Sequence, residues 1–214
     1  MDQELIRYWS HGPHYQFSDS IVFITWRLAF TLPHRILEMF KELSVSSSSV
    51  VQQWSLDSMK MNDVYLYNRF IEYDSALASF QNPGFSLNEP GIASIVANAL
   101  HFYEGTHYEL HCYCVMPNHI HLLIRATKKS SDEYHSIADI IRSIKRYTAN
   151  KINKHLGIKG QVWNRFYFDR VIRDIESYER VVQYTMMNPV RANLVKRAED
   201  WRDSYCNPGF YKSL

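Results

Sequence analysis

The stretch Cys114-Val115-Met116-Pro117-Asn118-His119-Ile120-His121-Leu122-Leu123-Ile124 decides the fold and points to the chemistry. Its apolar end, Leu122-Leu123-Ile124, continues a strand that begins at the histidines. Pro117-Asn118 is turn chemistry that reverses the chain from the run Tyr108 to Met116. The segment therefore predicts a hairpin with His119 and His121 at the start of its second strand. Successive side chains of a strand point to opposite faces, so the two imidazoles share one face and Ile120 takes the other. Two nitrogen donors converging in this way suit a metal ion. A His-apolar-His triplet is also met on sheet faces where histidines only hydrogen-bond, so the motif needs a second segment to support it.

That segment is Arg180-Val181-Val182-Gln183-Tyr184-Thr185-Met186-Met187-Asn188-Pro189, which follows Glu176 and Ser177 and reads as a short helix stopped by Pro189. Tyr184 and Asn188 are four residues apart, a spacing that stacks both side chains on one helical face. A phenol and an amide oxygen are then offered to one place and complement the two histidines.

Several blocks in one order make the chain resemble the single-tyrosine transposases that carry a histidine-hydrophobic-histidine motif, and among them the group associated with repetitive extragenic palindromes (REP). The blocks are Phe23-Ile24-Thr25-Trp26, Tyr73-Asp74, Tyr108-Glu109-Leu110-His111, Met116-Pro117-Asn118-His119-Ile120-His121, Ser143-Ile144-Lys145, Val162-Trp163, Phe168 to Asp174, and Tyr184 with Asn188-Pro189-Val190. Thr185 departs from the isoleucine that commonly follows the family's tyrosine. The resemblance implies that His119 and His121 ligate a divalent cation, that Tyr184 attacks the DNA phosphorus, and that Asn188 completes the metal site. A phenol with a reference pKa near ~10 is almost fully protonated at neutral pH, so it needs a neighbouring charge or base to act as a nucleophile. Mixed nitrogen and oxygen donors with open positions suit Mg²⁺ or Mn²⁺. Attack would leave a covalent 5′-phosphotyrosine and a free 3′ hydroxyl, and rejoining would need no nucleotide cofactor. Consistently, no G-x-x-x-x-G-K loop is present. The implied partner is single-stranded or hairpin DNA, bound by a monomer or a homodimer.

Tyr147, in the run Ile140 to Asn150, competes for the nucleophile's role. It lies in a predicted amphipathic helix in which Ile137, Ile141, Ile144, Thr148 and Ile152 recur at helical spacing while Arg142, Lys145, Arg146 and Lys151 populate the other side. With 15 tyrosines in the chain, a lone one is ordinarily a packing residue, and Tyr184 alone has the Asn-Pro that follows.

The formal net charge of +2 conceals a split. Asp139 to Arg197 holds 13 Lys and Arg against 5 Asp and Glu, while the rest holds 11 against 17. The basic half contains the proposed nucleophile, as expected for a surface facing a polyanion. Trp163, Phe166, Tyr167 and Phe168 are interleaved with Arg165, Arg170 and Arg173, which offers base stacking beside phosphate contacts. The candidate DNA contacts are thus Arg142, Lys145, Arg146, Lys151, Trp163, Arg165, Arg170 and Arg173, with Phe166 and Phe168 expected to differ in exposure from Tyr167.

At 214 residues and 46% hydrophobic, the chain can bury one sizeable core, and residues 1–214 read as one domain with a helical insertion at about 45–105. Three cysteines show no zinc or disulfide spacing and read as buried thiols. No run approaches the ~18 apolar residues of a membrane helix, so a cytoplasmic protein without membrane contact is expected. Strands are expected at residues 21–29 and 169–172, and helices at 33–43, 65–80, 90–103 and 136–155, with a serine-rich loop at 44–49. That is an α+β protein. The resemblance sharpens it to a ferredoxin-like antiparallel sheet with helices on one side, central histidines and the tyrosine helix laid across them. The aromatic segments Tyr8 to Tyr15 and Asp200 to Tyr205 suit either DNA-recognising tails or covers for the sheet edge. His111, in the hairpin, is a candidate partner for the metal ligands. Two rival functions are a domesticated, non-cleaving DNA-binding protein and a zinc metallohydrolase in which a third histidine joins His119 and His121.

Overall fold

The computed structural model describes residues 5–9, 13–17, 19–29, 70–80, 84–131 and 133–210. The helix expected at 33–43, the serine loop at 44–49 and residues 65–69 of the next helix lie outside them. A small antiparallel pair, β1 (Leu5–Trp9) and β2 (Pro13–Phe17), precedes β3 (Ile21–Arg27). A helix whose described part is residues 70–79, here α1, and α2 (Pro90–Phe102) lead to the hairpin of β4 (Tyr108–Val115) and β5 (His119–Ala126). Then come α3 (Ile137–Leu156), β6 (Phe168–Ile172), α4 (Ile175–Arg191) and β7 (Ser204–Cys206).

The five-stranded sheet runs β6-β3-β5-β4-β7 with every pairing antiparallel, which puts the histidine strand in the middle. Its two faces carry different cores. Val22, Ile24, Trp26, Ile120, Leu122 and Ile124 pack with Ile92 and Val96 of α2 and Ile137, Ile141, Ile144 and Ile152 of α3. Phe23, Cys112 and Leu123, on the opposite parity, pack with Phe70 of α1 and Tyr178, Val182, Tyr184 and Met186 of α4. Helices therefore cover both faces, not the one side expected. The continuous apolar runs of β3 and β5 are the local sign of this, because a strand covered on both faces has no polar parity. Each fully buried aliphatic side chain contributes about 1.5–3 kcal/mol, so the two layers together hold the central strands rigid.

Ser136 caps α3 by accepting from the Asp139 amide, and Gly157 ends it at φ 66°, a left-handed conformation that glycine adopts without strain. Asp174 caps α4 by accepting from the Ser177 amide at 2.7 Å. Pro189 does not stop α4, which continues to Arg191. Proline removes only its own N–H, and with so few residues left that single loss does not end the helix.

One irregularity matters below. Leu110 pairs with Ile124 but Cys112 pairs with Leu123, so His111 is the extra residue of a β-bulge. The bulge switches the inward parity of β4 between Leu110 and Cys112. The C-terminal segment covers the sheet edge as β7, with the Trp201 indole donating to the Val115 carbonyl. Cys112 and Cys114 are buried free thiols and Cys206 is half-buried. No helix among the described residues is long and apolar enough to cross a membrane.

Candidate metal centre and nucleophile

His119 and His121 point to the α4 face of the central strand and are completely buried. Their Nε2 atoms stand 3.0 Å apart. What each ring does with its other nitrogen sets this geometry. The Asn118 side-chain nitrogen donates to the carbonyls of Leu77 and Phe80, which leaves its Oδ1 to accept from His119 Nδ1 at 2.6 Å. The His119 proton is thereby held on Nδ1 and the Nε2 lone pair faces the site. His121 Nδ1 is 2.9 Å from Thr25 Oγ1, its direct partner across β3 and β5. Phe23 stacks on the His121 ring at 5.7 Å.

The third donor is Asp74 of α1, quoted above as part of the resemblance but given no role by the sequence. Its Oδ1 lies 3.3 Å from both Nε2 atoms, is buried, and has no hydrogen-bond partner. Its Oδ2 accepts from the Tyr184 hydroxyl by a short hydrogen bond and from the Asn188 amide at 3.0 Å. Asn188 Nδ2 is also 3.0 Å from His121 Nε2. Asn188 thus meets the cluster through its nitrogen and holds Asp74 in place. Two imidazole Nε2 atoms this close to each other, beside a carboxylate oxygen without a hydrogen-bond partner, repel one another unless a proton or a cation lies among them. These donors fit a small divalent cation. Among the described residues no third histidine joins the group; its third donor is the Asp74 carboxylate.

Burial alone would raise the Asp74 carboxyl, but the His121 and His119 imidazoles outweigh it and hold it well below the usual carboxylate range. Burial pushes His119 below its ordinary value, despite the opposing pull of Asp74. The state consistent with both is an ionised carboxylate beside a neutral His119. Tyr184 is pushed well above the ordinary phenol value by burial and then by the Asp74 charge, with Arg191 opposing. The Arg191 guanidinium lies over the Tyr184 ring, 4.3 Å from its centre. Sequence spacing did not single out Arg191, although it sits seven residues after Tyr184, two turns along the same helical face.

The other candidates separate. Tyr147 is 49% exposed on α3, a helix of the opposite sheet face, and does not meet the histidines. Arg142, Arg146 and Lys151 are exposed on that same helix, away from the metal centre. Lys145 is half-buried and donates to the carbonyls of Asn164 at 2.7 Å and Arg165 at 3.2 Å. Burial lowers its ammonium to about 8. Trp163 is in the core, its indole donating to Thr148 Oγ1 and its ring set edge-on to Trp26. Arg165 is exposed, and Arg173 is exposed just beyond β6. Arg170 pairs across the strands with Phe23, which puts it on the metal-centre face at the edge strand. Phe166 is 48% exposed, whereas Tyr167 and Phe168 are half-buried against opposite faces of the sheet. His111 is not joined to the metal donors, because its Nδ1 is 2.9 Å from the Tyr178 hydroxyl.

The architecture is α+β, with the antiparallel sheet, central histidines and crossing tyrosine helix of the HUH nuclease fold. Residues 92–188 match the family described as "Transposase IS200 like". The chain is 24% identical over 99 residues to a putative REP-associated tyrosine transposase of Haemophilus influenzae, covering 44% of this chain and 56% of that protein. It is 28% identical over 94 residues to the REP-associated tyrosine transposase of Escherichia coli K12, covering 44% and 52%. In these alignments the chain spans about half the length of the curated relatives it matches. A solved structure of a REP-associated tyrosine transposase bound to a REP hairpin superposes with TM-score 0.52 at 15% identity, covering 92% of this chain and 82% of that one. The resemblance to REP-associated tyrosine transposases therefore holds in both sequence and fold. The family match includes His119, His121, Tyr184 and Asn188 and leaves out Asp74 and Arg191.

Proposed function

We propose that this protein is a metal-dependent endonuclease and strand transferase for single-stranded or hairpin DNA, working through a covalent tyrosine intermediate. The observation that carries the reading is the Tyr184 hydroxyl donating to a carboxylate whose other oxygen faces both histidines. A divalent cation, Mg²⁺ or Mn²⁺, held by His119, His121 and Asp74 would polarise the scissile phosphate and offset the carboxylate charge that holds the phenol's proton. A half-turn of the Asn188 amide would present its oxygen to the same place.

In the proposed step the Tyr184 oxygen forms a bond to phosphorus and the bond from phosphorus to the 3′ oxygen breaks. The phenol's proton passes to Asp74 Oδ2, which already accepts it in a hydrogen bond, and the departing 3′ oxygen gains a proton from water. Arg191, over the phenol ring, favours the negative charge that develops on the nucleophile. Rejoining is the reverse displacement by a 3′ hydroxyl. The donors and the phenol are 0–6% exposed, so the DNA strand reaches them only after the covering segments move. A hairpin oligonucleotide with a single-stranded flank and Mn²⁺ is expected to give a denaturant-resistant protein–DNA adduct, absent in Tyr184→Phe and in His119→Ala. Adduct formation by Tyr184→Phe at the wild-type level would overturn the reading.

A further inference from the structure

A second feature lies on the same sheet face as the metal centre. Between the start of β3, the end of β6 and the first turn of α4 is a cavity of about 690 Å³ whose lining includes Ile21, His111, Arg125, Arg173, Tyr178 and Phe210. Arg125 is four residues beyond His121 on β5, roughly 13 Å along the strand. Tyr178 is six residues before Tyr184, about 9 Å along α4. A strand of DNA with its phosphate at the metal centre would need only a short run of nucleotides to reach this cavity, and Arg170 stands on the way along β6.

His111 reaches the cavity because of the β-bulge, which leaves it out of the ladder and turns it toward α4. It is 3% exposed, yet its Nε2 has no hydrogen-bond partner, and Glu109 Oε2 stands 4.0 Å away. A buried polar atom left in this way is destabilising, and a ligand bonding to it would relieve that. Burial, with Arg125 beside it, holds the ring down at about 4, so at neutral pH it is an uncharged imidazole able to read a hydrogen-bonding edge. Phe210 stacks on it at 4.2 Å and Tyr178 stands edge-on to it at 5.5 Å, which makes this wall of the cavity aromatic.

The occupant's chemistry follows from the walls. In the first turn of α4 the Asp174 carboxylate already takes the Ser177 amide, and its charge disfavours a phosphate there. Arg125 is held by Glu109 at 2.5 Å and by Asp19 at 3.7 Å, which offsets its charge. The exposed Arg173 and Asp174 line it with opposite charges, and most of the rest is aromatic and aliphatic surface with one unsatisfied neutral nitrogen, which suits a planar uncharged group with a polar edge. We infer that the cavity receives one unpaired base of the DNA strand, read at its edge by His111 and stacked on the aromatic wall, a few nucleotides from the scissile phosphate. This rests on the proposed function and assigns it a base-reading subsite.

The test is an abasic scan. Hairpin oligonucleotides carrying one abasic site at each unpaired position in turn are compared for binding by fluorescence anisotropy and for adduct formation. One position is expected to weaken binding about ten-fold or more, the scale of losing a single stacked base. In His111→Leu, intact and abasic strands are expected to bind alike, both about as weakly as the abasic strand binds the wild type. Independently of any variant, 5-iodouracil at the sensitive position of the wild-type complex is expected to photocrosslink to Tyr178 or Phe210. Uniform tolerance of abasic sites, sensitivity that survives in His111→Leu, or a crosslink elsewhere overturns the subsite. If the adduct forms normally in those cases, the subsite alone fails; if no hairpin binds or forms an adduct, the proposed function fails with it.

Discussion

Replacing Asn118 by alanine tests how the metal centre is held, because this one side chain ties two elements to the first histidine. Its amide nitrogen donates to the carbonyls of Leu77 and Phe80 at the end of α1, the helix that carries Asp74, and its oxygen accepts from His119 Nδ1. Asn118 is 2% exposed, so the alanine variant leaves two carbonyls and one ring N–H with little access to water. At a net loss of about 1 kcal/mol per hydrogen bond, the variant is expected to lose about 3 kcal/mol. In a chain of this length that is a fall of roughly 6–12 °C in Tm. The freed His119 ring can also turn or change tautomer, and loss of such a partner typically weakens metal affinity by about 10–100-fold. Asn118→Asp separates the effects: the carboxylate still accepts from Nδ1 but cannot donate to the two carbonyls, so stability falls while the tautomer is preserved. Differential scanning calorimetry and Mn²⁺ titration calorimetry measure the two quantities. An alanine variant that melts lower but binds Mn²⁺ within about three-fold of wild type would refute this account of how His119 is oriented, since the expected loss is at least ten-fold.

Asp74→Ala removes the carboxylate that faces both Nε2 atoms and is expected to lose Mn²⁺ binding by titration calorimetry; undiminished affinity would exclude Asp74 from the ligand set. Tyr184→Phe keeps every proposed donor and is expected to bind Mn²⁺ within a few-fold of wild type while forming no adduct, so a lost metal site would reassign the phenol to ligation. Chelation by EDTA is expected to abolish adduct formation and Mn²⁺ to restore it, read on a denaturing gel. A pH series isolates His111. Its folded value of about 4 lies below the reference 6.5, so between those values the unfolded chain binds the proton and the native chain does not. The resulting stability loss as pH falls through that window approaches about 3 kcal/mol, and the sign is that of a depressed base. His111→Leu is expected to flatten the denaturant-unfolding stability curve between pH 6.5 and 4 relative to wild type, and identical slopes would contradict the burial of a neutral ring.

Local periodicity carried much of this protein. The hairpin, the shared face of His119 and His121, the one-face spacing of Tyr184 and Asn188, and the amphipathic pattern of α3 are all set by neighbours within a few residues, and they are readable because strands repeat every two residues and helices every 3.6. The helix runs past Pro189, where the sequence predicts a stop, because a proline costs one hydrogen bond and near a helix end that cost is small. Charge was less informative: the basic residues of α3 share a segment of sequence with Tyr184 but not a face of the sheet. Tertiary structure alone decided the rest. The Tyr184 hydroxyl meets Asp74 across 110 residues of sequence, Asn118 joins His119 to the end of α1 across 41 and 38, and the His111 bulge appears only in the register of β4 against β5. Contacts this distant leave no periodic trace in the chain, because they are fixed by which faces pack together and not by the preferences of adjacent residues.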